Sequence, residues 1–243
     1  MPHIVLIHGA WADASSWAAV ISRLQQAGHT VDAPPNLLRG VAPDAAYVAD
    51  YLRTLEGPIV LVGHSYGGAV ITNAATGNEA VKALVYVDAF IPDEGETVLE
   101  LASAQPGSAL GDPPKTFNFV PYPGAPEGEV DLYIKQSMFH AVMAADQSEG
   151  DALIRAAGQR PLAASALEGK SGVPAWKSIP SWAVIGTEDR AIPPAEQVVM
   201  TERAKAKTTK VTAAHLSMIS QPDVVTAVIV EAATDAGALP NAW

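Results

Sequence analysis

At both ends of the chain, short runs of β-branched and apolar residues alternate with stretches of helical pattern. Runs at 4–7, 30–33, 59–62, 81–87, 181–186 and 208–213 read as strands, and 16–26, 43–55, 66–76, 194–206 and 222–234 as helices. Asp13 or Ser15 suits the N-cap of the first helix and Gly28 its stop, while Gly57-Pro58 ends the second. Strands without polar alternation are covered on both faces, and strand–helix alternation builds a parallel sheet between two helical layers. The expectation is an α/β fold with a mostly parallel, doubly wound sheet. The final residues, 237–243, look like a tail.

The rhythm breaks between 89 and 179. Proline and glycine are frequent there, no run looks like a core strand, and 129–146 and 149–167 look helical. The expected organisation is a core made of 1–88 and 180–243, interrupted by a helical lid insertion over 89–179. Ligands of open α/β sheets bind outside the carboxyl ends of the strands, which is where such an insertion would lie. Structural excursions without a ligand role would leave the same pattern.

The third strand run leads into Gly63-His64-Ser65-Tyr66-Gly67-Gly68. A G-x-S-x-G pattern between strand and helix makes a sharp turn that lifts a serine hydroxyl clear of the sheet edge. By composition alone, three such fixed positions arise about 0.1 times in a chain of this length. The preceding β-branched run and the small residues that follow give the pattern its meaning, because strand and helix backbones must cross closely at such a turn.

A serine hydroxyl needs a base to take its proton, and the base needs an orienting acid. Asp189 follows the run at 181–186, and His215 follows the run at 208–213. Ser65, Asp189 and His215 thus come in the order acid-after-nucleophile, base-last, each beyond a strand. Competing groups are present. Asp88 ends the run at 81–87 and would reach the same edge as an alternative acid, or serve as a cap or hinge contact. Glu188 neighbours Asp189 and should point elsewhere. His64 should face away from the working side of Ser65, and His8 should order the loop after the first strand. His140 lies in the insertion and could contact substrate or solvent; His3 and His29 flank strands. Amide donors for an oxyanion would come from Tyr66, after the nucleophile, and from Ala10 in the loop after the first strand.

Composition removes several functions. Charged residues are 17%, hydrophobic residues 49%, and net charge is −11. A chain so acidic should repel nucleic acid and anionic lipid, so a neutral small molecule is the expected partner. No apolar run reaches the ~18 residues of a membrane span, and no signal-type segment opens the sequence. With no cysteine there are no disulfides or thiolate metal sites; a reducing cytoplasm is the expected setting.

Together, His8-Gly9-Ala10-Trp11, Gly63 to Gly68, Asp189 and His215 resemble the α/β-hydrolase superfamily over the whole chain, least diagnostically in 89–179. Within it the chain is similar to the compact branch of plant methyl-ester esterases, hydroxynitrile lyases and their bacterial relatives. The resemblance implies a site without cofactor or metal, with nucleophile Ser65, acid Asp189, base His215, and oxyanion donors Ala10 and Tyr66. Lyases of the branch carry a threonine just after the first-strand histidine and a lysine just after the catalytic one. Gly9 and Leu216 stand there instead, the esterase choice. An apolar ester or lactone is the expected substrate, with Phe117, Phe119, Tyr122, Tyr133, Met138, Phe139 and Trp176 as pocket candidates. A lyase, perhydrolase or C–C hydrolase on the same triad, or a non-catalytic receptor, would fit the same residues. Oligomeric state is not encoded in any of these features.

Overall fold

All six positions of the strand Ile59–His64 are buried, which only a sheet covered on both faces allows. The computed structural model describes residues 1–238 and contains two sheets. In chain order the first half runs β1 (His3–Ile7), a 3₁₀ turn (Ala14–Trp17), α1 (Ala18–Gln26), β2 (Val31–Asp32), α2 (Val41–Leu52), β3 (Ile59–His64), α3 (Tyr66–Ala74) and β4 (Val81–Val87). Then follow α4 (Val98–Ser103), α5 (Pro113–Thr116), β5 (Phe117–Val120), β6 (Asp131–Ile134), α6 (Gln136–Met143), α7 (Glu149–Gly158) and β7 (Leu162–Ala163). The chain closes with β8 (Ser181–Gly186), α8 (Pro194–Arg203), β9 (Lys207–Val211), α9 (Ser217–Ser220) and α10 (Pro222–Ala238).

The main sheet has the order β2-β1-β3-β4-β8-β9, with every pairing parallel. Two helix pairs, α1 with α10 and α2 with α3, cover it. The register brings the carboxyl ends into line: His64 pairs with Val87, Val87 with Val184, and Gly186 with Val211. Ser65, Asp88, Asp189 and His215 therefore all emerge at one edge. β9 closes the sheet with exposed Lys207, Thr208 and Lys210, the polar outline that keeps an edge strand from pairing with other chains.

The expected strands and helices of the core are all present, with ends displaced by a few residues. Asp13 caps the 3₁₀ turn ahead of α1, its carboxylate accepting from the Ser15 amide. The expected tail fares differently. Helix α10 runs through Gly237 to Ala238, and 239–243 lie outside the described residues.

The middle segment departs from the expectation of loops and helices. It holds a three-stranded antiparallel sheet, β5-β6-β7. β6 takes the start of the stretch read as helix over 129–146, and β7 lies within that read over 149–167. The cause is local: Phe117-Asn-Phe-Val120 and Asp131-Leu-Tyr-Ile134 pair in register, Phe117 with Ile134 and Phe119 with Leu132. Phe117, Leu132 and Ile134 are buried by this pairing while Phe119 stays exposed, and that gain overrides a helical pattern four residues long.

Candidate active site

The glycines around Ser65 are there because nothing larger fits. A Cβ on Gly63 would lie 2.6 Å from the Gly67 carbonyl oxygen, one on Gly67 2.6 Å from that of Ile7, and one on Gly68 2.3 Å from that of Phe90. The turn they allow holds Ser65 at φ 53° and ψ −124°, a conformation L-residues rarely adopt. The surrounding packing stabilises this strain and aims Oγ off the edge of the sheet.

His215 reaches that hydroxyl. Its Nε2 lies 2.8 Å from Ser65 Oγ, and its Nδ1 lies 2.7 Å from Asp189 Oδ2. Ser65 is 3% exposed, Asp189 4% and His215 0%, so the chain of hydrogen bonds is shielded from water. Burial alone would lower the imidazole's pKa. The charge of Asp189 and its hydrogen bond outweigh burial, Asp88 adds to them, and the net shift is upward from 6.5. Glu188 is exposed, as expected of the neighbour that points elsewhere.

Four donors converge on Asp189. The Ala191 and Ile192 amides donate to Oδ1, while Gln197 Nε2 and His215 share Oδ2. Gln197 sits on α8 and also donates to the Ile192 carbonyl, so the helix start at Pro194 locks the acid's rotamer. Asp88 does not contact the imidazole. It accepts from the Gly186 amide and from Ser217, which places it between the two loops that carry Asp189 and His215.

The loop around His215 is pinned from three sides. Asp146 accepts from the Ala214 amide, His64 Nε2 donates to the His215 carbonyl, and Asp88 holds Ser217. His64 is buried against the His215 ring, 4.8 Å between centroids, and burial with the neighbouring His215 charge pushes its pKa well down. It is therefore a neutral support of the His215 loop. His8 is neutral too: burial takes its pKa down to about 4. The Asn36 amide must donate to Nε2, so Nδ1 carries the proton and donates to the Gly9 carbonyl. This fixes the loop that presents Ala10.

Both candidate oxyanion amides are open. Tyr66 begins α3 and has no intrahelical acceptor for its N–H. The Ala10 N–H meets no acceptor among the described residues, whereas the next amide, Trp11, donates to the Arg160 carbonyl. Tyr66 is fixed from its far end, where its hydroxyl donates to buried Asp44. That carboxylate also accepts from the Arg39 and Gly40 amides.

Gly9 is as constrained as the turn itself. A Cβ there would fall 2.6 Å from Ser65 Cβ, so a threonine cannot enter without moving Ser65. Leu216 is buried and lines a cavity of about 220 Å³ with Trp11, Phe139, Ile154 and Gln159. A larger cavity, about 520 Å³, is lined by Trp11, Leu99, Leu110, Phe117, Phe119 and Leu132 among others. Trp11 stands between them at φ 57°, its Nε1 donating to the Leu132 carbonyl and its ring stacked on Phe117 at 5.3 Å. Phe117, Phe119 and Phe139 thus line cavities. Tyr122 instead covers Arg39, Trp176 packs on Arg203, and Tyr133 and Met138 line neither cavity. His140 Nε2 donates to the Gln147 carbonyl, which ties α6 to the turn before α7. Neither cavity is lined by Ser65 or His215.

Among the described residues no group of three or more His, Asp or Glu is placed to hold a metal, and no helix is long and apolar enough to cross a membrane.

A parallel sheet with a strained serine turn, and an acid and a histidine at its carboxyl edge, define a hydrolase-type α/β architecture. The chain belongs to the alpha/beta hydrolase family, whose pattern matches residues 4–228. It is 34% identical over 116 residues to a carbendazim hydrolyzing esterase of Nocardioides sp. (strain SG-4G), covering 42% of this chain and 47% of that protein. It is 33% identical over 127 residues to an alpha-hydroxynitrile lyase of Arabidopsis thaliana, covering 45% and 49%. The chain thus spans about half the length of the curated relatives it matches. Among solved structures, polyneuridine aldehyde esterase superposes over 95% of this chain and 98% of its own, with TM-score 0.79 at 21% identity, a likeness of fold.

Proposed function

We propose that the chain is a serine hydrolase that cleaves a small to medium apolar carboxylic ester or lactone through an acyl-enzyme on Ser65. The observation that carries this reading is the continuous pair of hydrogen bonds from Ser65 Oγ through His215 to Asp189. Ser65 Oγ attacks the carbonyl carbon as its proton passes to His215 Nε2. Asp189 holds the imidazole's tautomer and stabilises the imidazolium. The developing oxyanion accepts from the Ala10 and Tyr66 amides, each such donor supplying about 3–4 kcal/mol in the transition state. The tetrahedral intermediate collapses, His215 protonates the departing alcohol, and the acyl group stays on Ser65. Water then gives a proton to His215 and attacks the ester, releasing the acid and restoring the hydroxyl.

Residues of 89–179 line both cavities that flank Trp11, and the larger one, walled by Leu99, Leu110, Phe117, Phe119 and Leu132, suits an apolar part of such a substrate. One relative is itself a carbendazim hydrolyzing esterase, which supports this reading. The lyase relative supports a second reading on the same triad. Against it, buried Leu216 offers no positive charge to a cyanide leaving group, and Gly9 has no room for a side chain. A panel of nitrophenyl esters of increasing acyl length tests the choice. Turnover on short and medium chains is expected. No turnover across the panel with intact fluorophosphonate labelling would favour the lyase, and no labelling at all would favour a non-catalytic receptor.

A further inference from the structure

We infer that Asp88 is a positioning residue of the site: one buried carboxylate that ties the turn bearing the acid to the turn bearing the base and keeps the two in register. The inference rests on the triad reading above and adds a residue to it.

Three donors from two different loops meet on this side chain. Oδ1 accepts from the Gly186 amide at 2.7 Å. Oδ2 accepts from the Ser217 hydroxyl at 2.5 Å and from the Ser217 amide at 3.2 Å. Gly186 ends β8 three residues before Asp189, and Ser217 follows His215 by two. Position 186 leaves no slack, since a Cβ there would lie 2.7 Å from the Ala213 carbonyl oxygen and 3.0 Å from Asp88 Oδ1. Asp88 is wholly buried and held at φ 45°, a conformation that has to be stabilised by these contacts.

Only an ionisable acceptor suits three donors, yet nothing of opposite charge touches it directly. Burial first, then the charge of Asp189, push the Asp88 carboxyl up to about 7. The charge of His215 and the bonds from Ser217 and Gly186 oppose that rise. Asp189 and His215 are thus the charged groups that face it. When His215 takes the proton of Ser65, the new positive charge favours the ionised form of Asp88. As a carboxylate, Asp88 adds a second negative charge beside the imidazolium, beyond the reach of substrate.

The test compares Asp88→Asn, Ser217→Ala and Ser65→Ala on a short-chain nitrophenyl ester, with kcat, KM and the pH profile of kcat/KM. In Asp88→Asn, kcat should fall about 10²-fold, as expected when a catalytic group is misplaced by an ångström, with KM little changed. Its acid limb should move to lower pH, because a charge that helps hold the proton on His215 has gone. Ser217→Ala keeps that charge; its kcat should fall about tenfold with the limb in place. Wild-type turnover or an unmoved limb in folded Asp88→Asn overturns the inference. If that variant does not fold, wild-type kcat in Ser217→Ala overturns it. Activity surviving in Ser65→Ala would instead remove the hydrolase reading itself, whatever Asp88 does.

Discussion

His215 carries two demands that pull against each other. It must be neutral to accept the proton of Ser65, yet Asp189 raises its pKa above 6.5. The acid limb of kcat/KM should therefore lie above pH 6.5, with activity lost as pH falls through it. Asp189→Asn should lower turnover by about 10⁴, the loss typical when the imidazole's tautomer is no longer held, and should move the limb downward. A small effect there would detach Asp189 from the mechanism. The hydrogen-bonded set Ser65, His215 and Asp189 was legible in the sequence because each residue follows a strand run in the required order. The residues that hold them were not. Gln197 on Asp189, Asp44 on Tyr66 and Asp146 on the Ala214 amide meet their partners only after packing, and no local pattern announces them. Gln197 alone left a trace, since Pro193-Pro194 sets a helix start just behind the acid.

The strand–turn–helix unit β3–α3 is the element on which the site depends. Its glycines answer to close backbone contact more than to turn flexibility, and Gly68 is the tightest, 2.3 Å from a backbone oxygen once a Cβ is added. Gly68→Ala should cost about 1–3 kcal/mol or more through overpacking, read as a lower urea midpoint with unchanged slope. A midpoint equal to the wild type's would show that Phe90 and α3 can part without penalty. The central strands β1, β3, β4 and β8 were legible because their apolar runs have five to seven residues and are almost wholly buried. The sheet β5-β6-β7 was not: its strands have two to four residues, and β6 runs through Lys135 into α6 with apolar spacing that also fits one helix. Only pairing between distant segments decides between the two.

At the scale of the molecule, buried titratable groups set the response to pH. His8 has a pKa of about 4 in the fold against 6.5 when exposed, so its contribution to stability is full above 6.5 and lost as pH falls through about 4. His64 is shifted in the same direction. Asp88 runs the other way: raised from 3.8 to about 7, it favours the fold below 3.8 and loses that contribution as pH rises through about 7. Between pH 6.5 and 4 the Tm of His8→Gln should therefore fall less than that of the wild type. Parallel declines would mean that burial of neutral His8 is not among the causes. The whole-molecule architecture was legible from alternation alone, whereas the packing of the 89–179 segment against the loop after β1 was not. Trp11 meeting Leu132 and Phe117 joins residues more than a hundred positions apart.

The central claim is that Ser65 is the nucleophile. A fluorophosphonate probe with peptide mapping by mass spectrometry, run beside ester turnover, tests it most directly. One adduct per chain on Ser65, and neither adduct nor turnover in Ser65→Ala, is the predicted result. Undiminished turnover in Ser65→Ala, or an adduct on another residue, would contradict it.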